Sequence, residues 1–70
     1  MVSKMSIIEA LRENGDRIIL NPKHIVAVVP TTHKINYEGG ETCDVCMIND
    51  AVYTIRESIE NISYILEYVN

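Results

Sequence analysis

Turn-forming residues fall at short, regular intervals through the first fifty positions, and this spacing constrains the fold more than any other feature. Asn14-Gly15, Asn21-Pro22, Pro30, Gly39-Gly40 and Asn49-Asp50 all lie between apolar runs. Each is a point where the chain turns or a ladder stops. They recur roughly every 8 to 10 residues, the spacing of a meander of short antiparallel strands and too tight for strands alternating with helices.

The first segment, residues 5–13, carries two competing signals. Ser6-Ile7-Ile8-Glu9 has the form of a capping box, and Ile7, Ile8 and Leu11 would share a helical face. Against this, Asn14-Gly15 followed at once by Arg17-Ile18-Ile19-Leu20 is a strong hairpin signal. The hairpin reading is adopted, so residues 5–13 are expected as strand. Asn21-Pro22 then forces a corner. Ile25-Val26-Ala27-Val28-Val29 is rich in β-branched residues and is closed by Pro30, which has no N–H for a ladder.

Residues 31–41 are more polar and include Gly39-Gly40, so they read as a loop with a mobile tip. Beyond it, Cys43, Val45 and Met47 point one way in a period-two strand, while Asp44 and Cys46 point the other. Asn49-Asp50 fits a tight turn, and Tyr53-Thr54-Ile55 returns as the last strand with Tyr53 and Ile55 on the buried side. From Ser58 the period changes, because Ile59, Ile62, Ile65, Leu66 and Val69 recur at helical spacing and make one apolar stripe. Ser58 suits the N-cap, Glu60 suits the positive first turn, and the helix should run nearly to Asn70. Together these features predict an α+β domain: an antiparallel meander of about four strands with one C-terminal helix packed on a face.

The chain has 70 residues, enough for one small domain covering 1–70. At 47% hydrophobic and 23% charged it is globular in composition, without the ~20 consecutive apolar residues of a membrane span. A folded chain this short hides only about 60% of the surface its unfolded form exposes, so an interface with a second copy would stabilise it. Ten acidic against six basic residues give a formal charge of −4, which repels a phosphate backbone. Lys4, Arg12, Arg17, Lys23, Lys34 and Arg56 are never adjacent in sequence, so no basic stripe favours nucleic acid.

Cys43-Asp44-Val45-Cys46 is the one pair that looks like chemistry. No secretory leader is apparent in Met1-Val2-Ser3-Lys4, so a reducing cytoplasm is expected, where a disulfide would not persist. A zinc site would need His24 and His33 to complete the ligand set, but residues three apart on a strand face opposite sides of a sheet. A redox role would want the motif at a helix N-terminus, and no helix begins there. The expected state is a buried thiol at Cys43, with no metal and no cofactor.

Ile19-Leu20-Asn21-Pro22-Lys23-His24-Ile25-Val26-Ala27-Val28 and Met47-Ile48-Asn49-Asp50-Ala51-Val52-Tyr53-Thr54-Ile55-Arg56-Glu57-Ser58 resemble the FlbD family, short bacterial chains encoded among flagellar genes. The family pattern places Leu-Asn-Pro at a strand end, Asn-Gly in a hairpin, and a Tyr-x-Val-x-Glu-Ser/Thr segment before a final helix. The resemblance covers most of the chain and implies architecture more than pathway, since similar domains look to occur in non-motile bacteria and mobile elements. It brings no catalytic residues. Asp50 stands where the family has Gly, and the loop at 31–41 is longer than the family's. The strand–hairpin–helix pattern is also similar to part of a LytTR-type domain, which implies a DNA-binding or transcription-accessory alternative.

The remaining candidates have modest readings. His24 reads as a corner residue, and His33 as an exposed spectator in the loop. Glu57 reads as structural, pairing with Arg56, His24 or Lys23 or accepting hydrogen bonds at the helix start. Tyr53 reads as core. Tyr64 and Tyr68 share a helical side away from the isoleucine stripe, and such aromatic ridges are enriched at interfaces. With Ile48 and Val52 on the outer side of the last hairpin, they are the candidate protein-contact residues. The functional expectation is a non-enzymatic protein-interaction module that forms a homodimer, without nucleic acid and without a membrane span. A zinc-binding module using Cys43 and Cys46 is the other alternative.

Overall fold

The computed structural model describes residues 7–33, 35 and 37–69; the side chains of 68 and 69 lie outside the description. In chain order come β1 (Ile8–Leu11), β2 (Arg17–Leu20), a 3-10 turn at Pro22–His24, β3 (Ile25–Pro30), β4 (Cys43–Met47), β5 (Val52–Ile55) and α1 (Ile59–Val69). The class is α+β, as the turn spacing predicts. The strands form two antiparallel sheets, β1-β2 and β3-β4-β5, where a single meander of about four strands was expected. The break falls at the corner. Asn21 Oδ1 accepts from the Lys23 N–H at 2.9 Å, and Pro22 opens a 3-10 turn that swings β3 away from β2.

Residues 8–11 are strand, paired as Ile8 with Leu20 through Leu11 with Arg17. Ser6, and with it the capping-box alternative, lies outside the described residues. The two sheets meet where β1 ends. Arg12 bridges to Ile55, the Glu13 N–H donates to Thr54 O at 3.1 Å, and the Arg56 N–H donates to Leu11 O at 2.8 Å.

Both hairpins close with the same turn. In the first, Arg12 N–H donates to Asp16 O at 2.7 Å and Gly15 N–H to Arg12 O at 2.9 Å. In the second, Met47 N–H donates to Ala51 O at 2.8 Å and Asp50 N–H to Met47 O at 3.0 Å. Each is a three-residue loop whose third residue is left-handed: Gly15 at φ 95° and Asp50 at φ 73°. The preceding asparagine locks each loop, with Asn14 Oδ1 accepting from Asp16 N–H at 3.0 Å and Asn49 Oδ1 from Ala51 N–H at 3.1 Å. Asp50 therefore occupies a position where glycine is the unstrained choice and aspartate one of the few tolerated substitutes.

The core consists of Ile8, Ala10, Leu20, Cys43, Val45, Ile55 and Ile62. Alternation along β4 places Cys43 and Val45 inside, opposite Ile55 and Tyr53 of β5. A register shift in β3 between Ile25 and Ala27 leaves Val26 outside and turns Val28 inward. Ser58 caps α1 as expected, its Oγ accepting from the Asn61 N–H at 3.1 Å. The helix rests against β3 and seals Ile62 completely, with Ile59, Ile65 and Leu66 packed around it. Burying Ile62 contributes about 1.5–3 kcal/mol, which an isolated helix of this length needs in order to persist. Tyr53 packs against the core as expected but is only partly buried, with the Arg12 guanidinium 5.9 Å from its ring centroid.

Candidate functional site

The opposite, outer face of the three-stranded sheet carries a polar cluster centred on Asp44. Asp44 alternates with the buried Cys43 and Val45 and so faces outward, with Val29 and Thr54 as its cross-strand neighbours. Its Oδ1 accepts from the hydroxyls of Thr54 at 2.7 Å and Thr31 at 3.2 Å, and Thr42 donates in turn to Thr31 at 3.0 Å. The carboxylate is largely covered, so these donors replace the water it gives up.

His33 projects from the loop at 31–42 onto this group. Its Nδ1 lies 3.8 Å from Asp44 Oδ2 and its Nε2 lies 3.7 Å from Glu13 Oε1. Thr54 Oγ1 is 3.4 Å from the same Nε2. The reading of His33 as a spectator is thus corrected: half of its side chain is exposed, yet the ring stands between two carboxylates from β4 and from the first hairpin turn. Further along the loop, Tyr37 lies under the Arg56 guanidinium at 4.2 Å, a stacked cation–π contact. Arg56 Nη2 also donates to Glu13 O at 3.0 Å. Gly39 folds back so closely that a Cβ there would come 2.7 Å from the Tyr37 ring, so a larger residue would have to displace the ring from its place under Arg56.

Acid, imidazole and hydroxyl thus meet, but in an arrangement that fastens a loop. A nucleophile–base pair would have the hydroxyl donate to imidazole and the imidazole donate to the acid. Here the Thr54 hydroxyl donates directly to Asp44, and both ring nitrogens stand beyond hydrogen-bond distance of the carboxylates.

The two cysteines are free and leave β4 on opposite faces. Cys43 is sealed in the core, and burial, followed by the nearby Asp44 and Glu57 charges, pushes its thiol up to about 11. Cys46 is half-buried on the outer face between Ala27 and Val52. Among the described residues no group of three His, Cys, Asp or Glu side chains is placed to hold a metal ion. His24 ends the 3-10 turn with its carbonyl accepting from Ile48 N–H at 2.8 Å, the corner role expected of it. Glu57 takes none of the basic partners expected; its Oε1 accepts from Asn61 Nδ2 one turn into α1, because the helix start carries Asn61 toward it.

The candidate contact residues fall in separate places. Ile48, 67% exposed, sits at the β4–β5 turn and walls an open groove of about 470 Å3 together with Ile18, Ile19, Met47, Tyr53 and His24. Ile19, which sequence reasoning passed over, is itself 59% exposed. Val52 is 56% exposed on the outer face of β5, in line with Cys46 and Ala27. Tyr64 is 63% exposed on α1, while the side chain of Tyr68 lies outside the description. Among the described residues, no helix is long and apolar enough to cross a membrane. Comparison with protein-family models, with curated proteins and with solved structures gave no match.

Proposed function

We propose that this chain is a non-enzymatic protein-interaction domain that self-associates, with Ile48 and Ile19 at the centre of the contact, while Val52 and Tyr64, exposed elsewhere, stand outside it. The observation that carries this reading is the groove between β2 and the β4–β5 turn. Large aliphatic side chains stand in water on its two walls, while the Asp44 carboxylate is spent on neighbouring hydroxyls, that of Thr31 in the loop among them. Covering such side chains contributes about 25 cal/mol per Å2, and a domain of this size has few other reserves. The charge of −4 disfavours nucleic acid as the partner, and two free thiols suit a reducing cytoplasm. The FlbD resemblance supports a bacterial setting without fixing the pathway.

Sedimentation over a concentration series tests this. The wild-type chain should shift from monomer to dimer as concentration rises, and Ile48→Asp should hold it as monomer with an unchanged circular-dichroism spectrum. A wild-type chain that stays monomeric throughout removes self-association from the reading.

A further inference from the structure

Two asparagines occupy matching three-residue turns, and only one of them precedes a glycine. We propose that Asn14 is a site of spontaneous deamidation, converting to a mixture of aspartate and isoaspartate, and that Asn49 is spared. In this reaction the backbone nitrogen of the following residue attacks the side-chain Cγ. The new N–Cγ bond forms, the Cγ–Nδ2 bond breaks, and the proton lost by the attacking nitrogen passes through water to the departing amide, which leaves as ammonia. Water then opens the resulting succinimide at either carbonyl, so water is the sole co-reactant.

Main-chain geometry is matched at the two sites. The attacking nitrogens are held alike, Gly15 N–H to Arg12 O at 2.9 Å and Asp50 N–H to Met47 O at 3.0 Å. Each asparagine is exposed, and each Cγ is polarised by an N–H bonded to its Oδ1, from Asp16 at 3.0 Å and from Ala51 at 3.1 Å. Asn14 Nδ2 also donates to Asp16 Oδ2 at 3.3 Å, an exposed bond that restrains the leaving amide and has to be outweighed by the difference in the attacking residue. Gly15 has no Cβ to hinder the approach; the position a Cβ would take lies in van der Waals contact with the Arg56 guanidinium, whose Nη2 is 3.6 Å away. The glycine's freedom of φ lets the turn open locally at little cost. Asp50 adds a Cβ that crowds the approach and a carboxylate that opposes removal of the proton from its own nitrogen. Isoaspartate at 14 would insert a methylene into the main chain directly beside Glu13, whose N–H and C=O tie the two sheets together.

The test is peptide mass mapping of the folded protein aged at neutral and mildly alkaline pH. The Asn14 peptide should gain acid in both isomeric forms, faster than the Asn49 peptide by about tenfold or more, a factor that a modest barrier difference supplies. Asp50→Gly relieves the left-handed aspartate, so the variant folds, and it should bring the rate at Asn49 up to that at Asn14. The proposal is overturned if Asn14 stays intact under conditions that convert a short peptide of the same sequence. It is equally overturned if Asn49 keeps pace in the wild type, or stays inert in Asp50→Gly.

Discussion

The two faces of the β4–β5 ribbon are built from alternate residues of the same nine positions, yet they hold together by different means. The inner face presents Cys43, Val45 and Ile55, all fully sealed and closed over by Ile62 of α1. The outer face presents Asp44 and Thr54, bonded to each other and met by the Thr31 hydroxyl and the His33 ring from the loop that follows β3. The inner contacts are non-directional and scale with area removed from water, whereas the outer ones depend on each donor meeting its acceptor. Cutting one side chain from each face should therefore fail in different ways. The inner loss lowers the stability of the whole domain, and the outer loss frees one segment.

The largest expected effect is Ile55→Ala. Removing a sealed side chain at the junction of both sheets should cost about 2–5 kcal/mol, a large part of the total stability of a small domain, read as a drop in the urea midpoint. Asp44→Ala comes next. It strands the hydroxyls of Thr31 and Thr54 and should cost about 1–3 kcal/mol, with faster hydrogen exchange at 31–42 before the core is affected. If the loop stays as protected as in the wild type, the tether assigned to Asp44 is wrong.

The same ribbon offers a pair of thiols for comparison. A thiol reagent should label Cys46 in the native state and Cys43 only on unfolding, since burial holds the latter near 11 and in its neutral form. Because the folded value lies above the ordinary 9.0, the unfolded chain releases this proton first. Its contribution to stability is thus complete below pH 9.0 and declines as pH rises toward about 11. Cys43→Ala should remove this part of the alkaline decline. The smallest effect is expected at the surface of the other sheet, where Glu9 and Arg17 pair while 54% and 72% exposed. Arg17→Ala should change stability by less than about 1 kcal/mol, a useful zero against which the two faces are measured.

What the sequence disclosed follows the range of the interactions involved. Cys43, Val45 and Met47 announce a period-two strand, and Ile59, Ile62, Ile65 and Leu66 announce a helix, because each pattern lies within a few consecutive residues. The Asn-x-x turns are equally local. The division into two sheets was hidden, since Asn21-Pro22 marks a corner without showing that β3 leaves β2 there, and the Arg12–Ile55 bridge that joins the sheets is a backbone contact that leaves no mark on side-chain type. His33 was misread for the same reason: its two carboxylate neighbours come from distant parts of the chain and only the folded loop brings them together. Ile19 escaped notice because a run of apolar residues does not reveal which member ends in water.

The bridge between Arg12 and Ile55, with its flanking bonds to Thr54 and Arg56, also orders events in time. Each hairpin can form within a short stretch of chain, but the bond from Arg56 to Glu13 spans 43 residues. Closing that separation costs entropy before it returns any contact, so the two hairpins should mature independently and this seam should zip last. A ribosome would have to release β5 before the first hairpin, already paired within itself, could be joined to the second sheet.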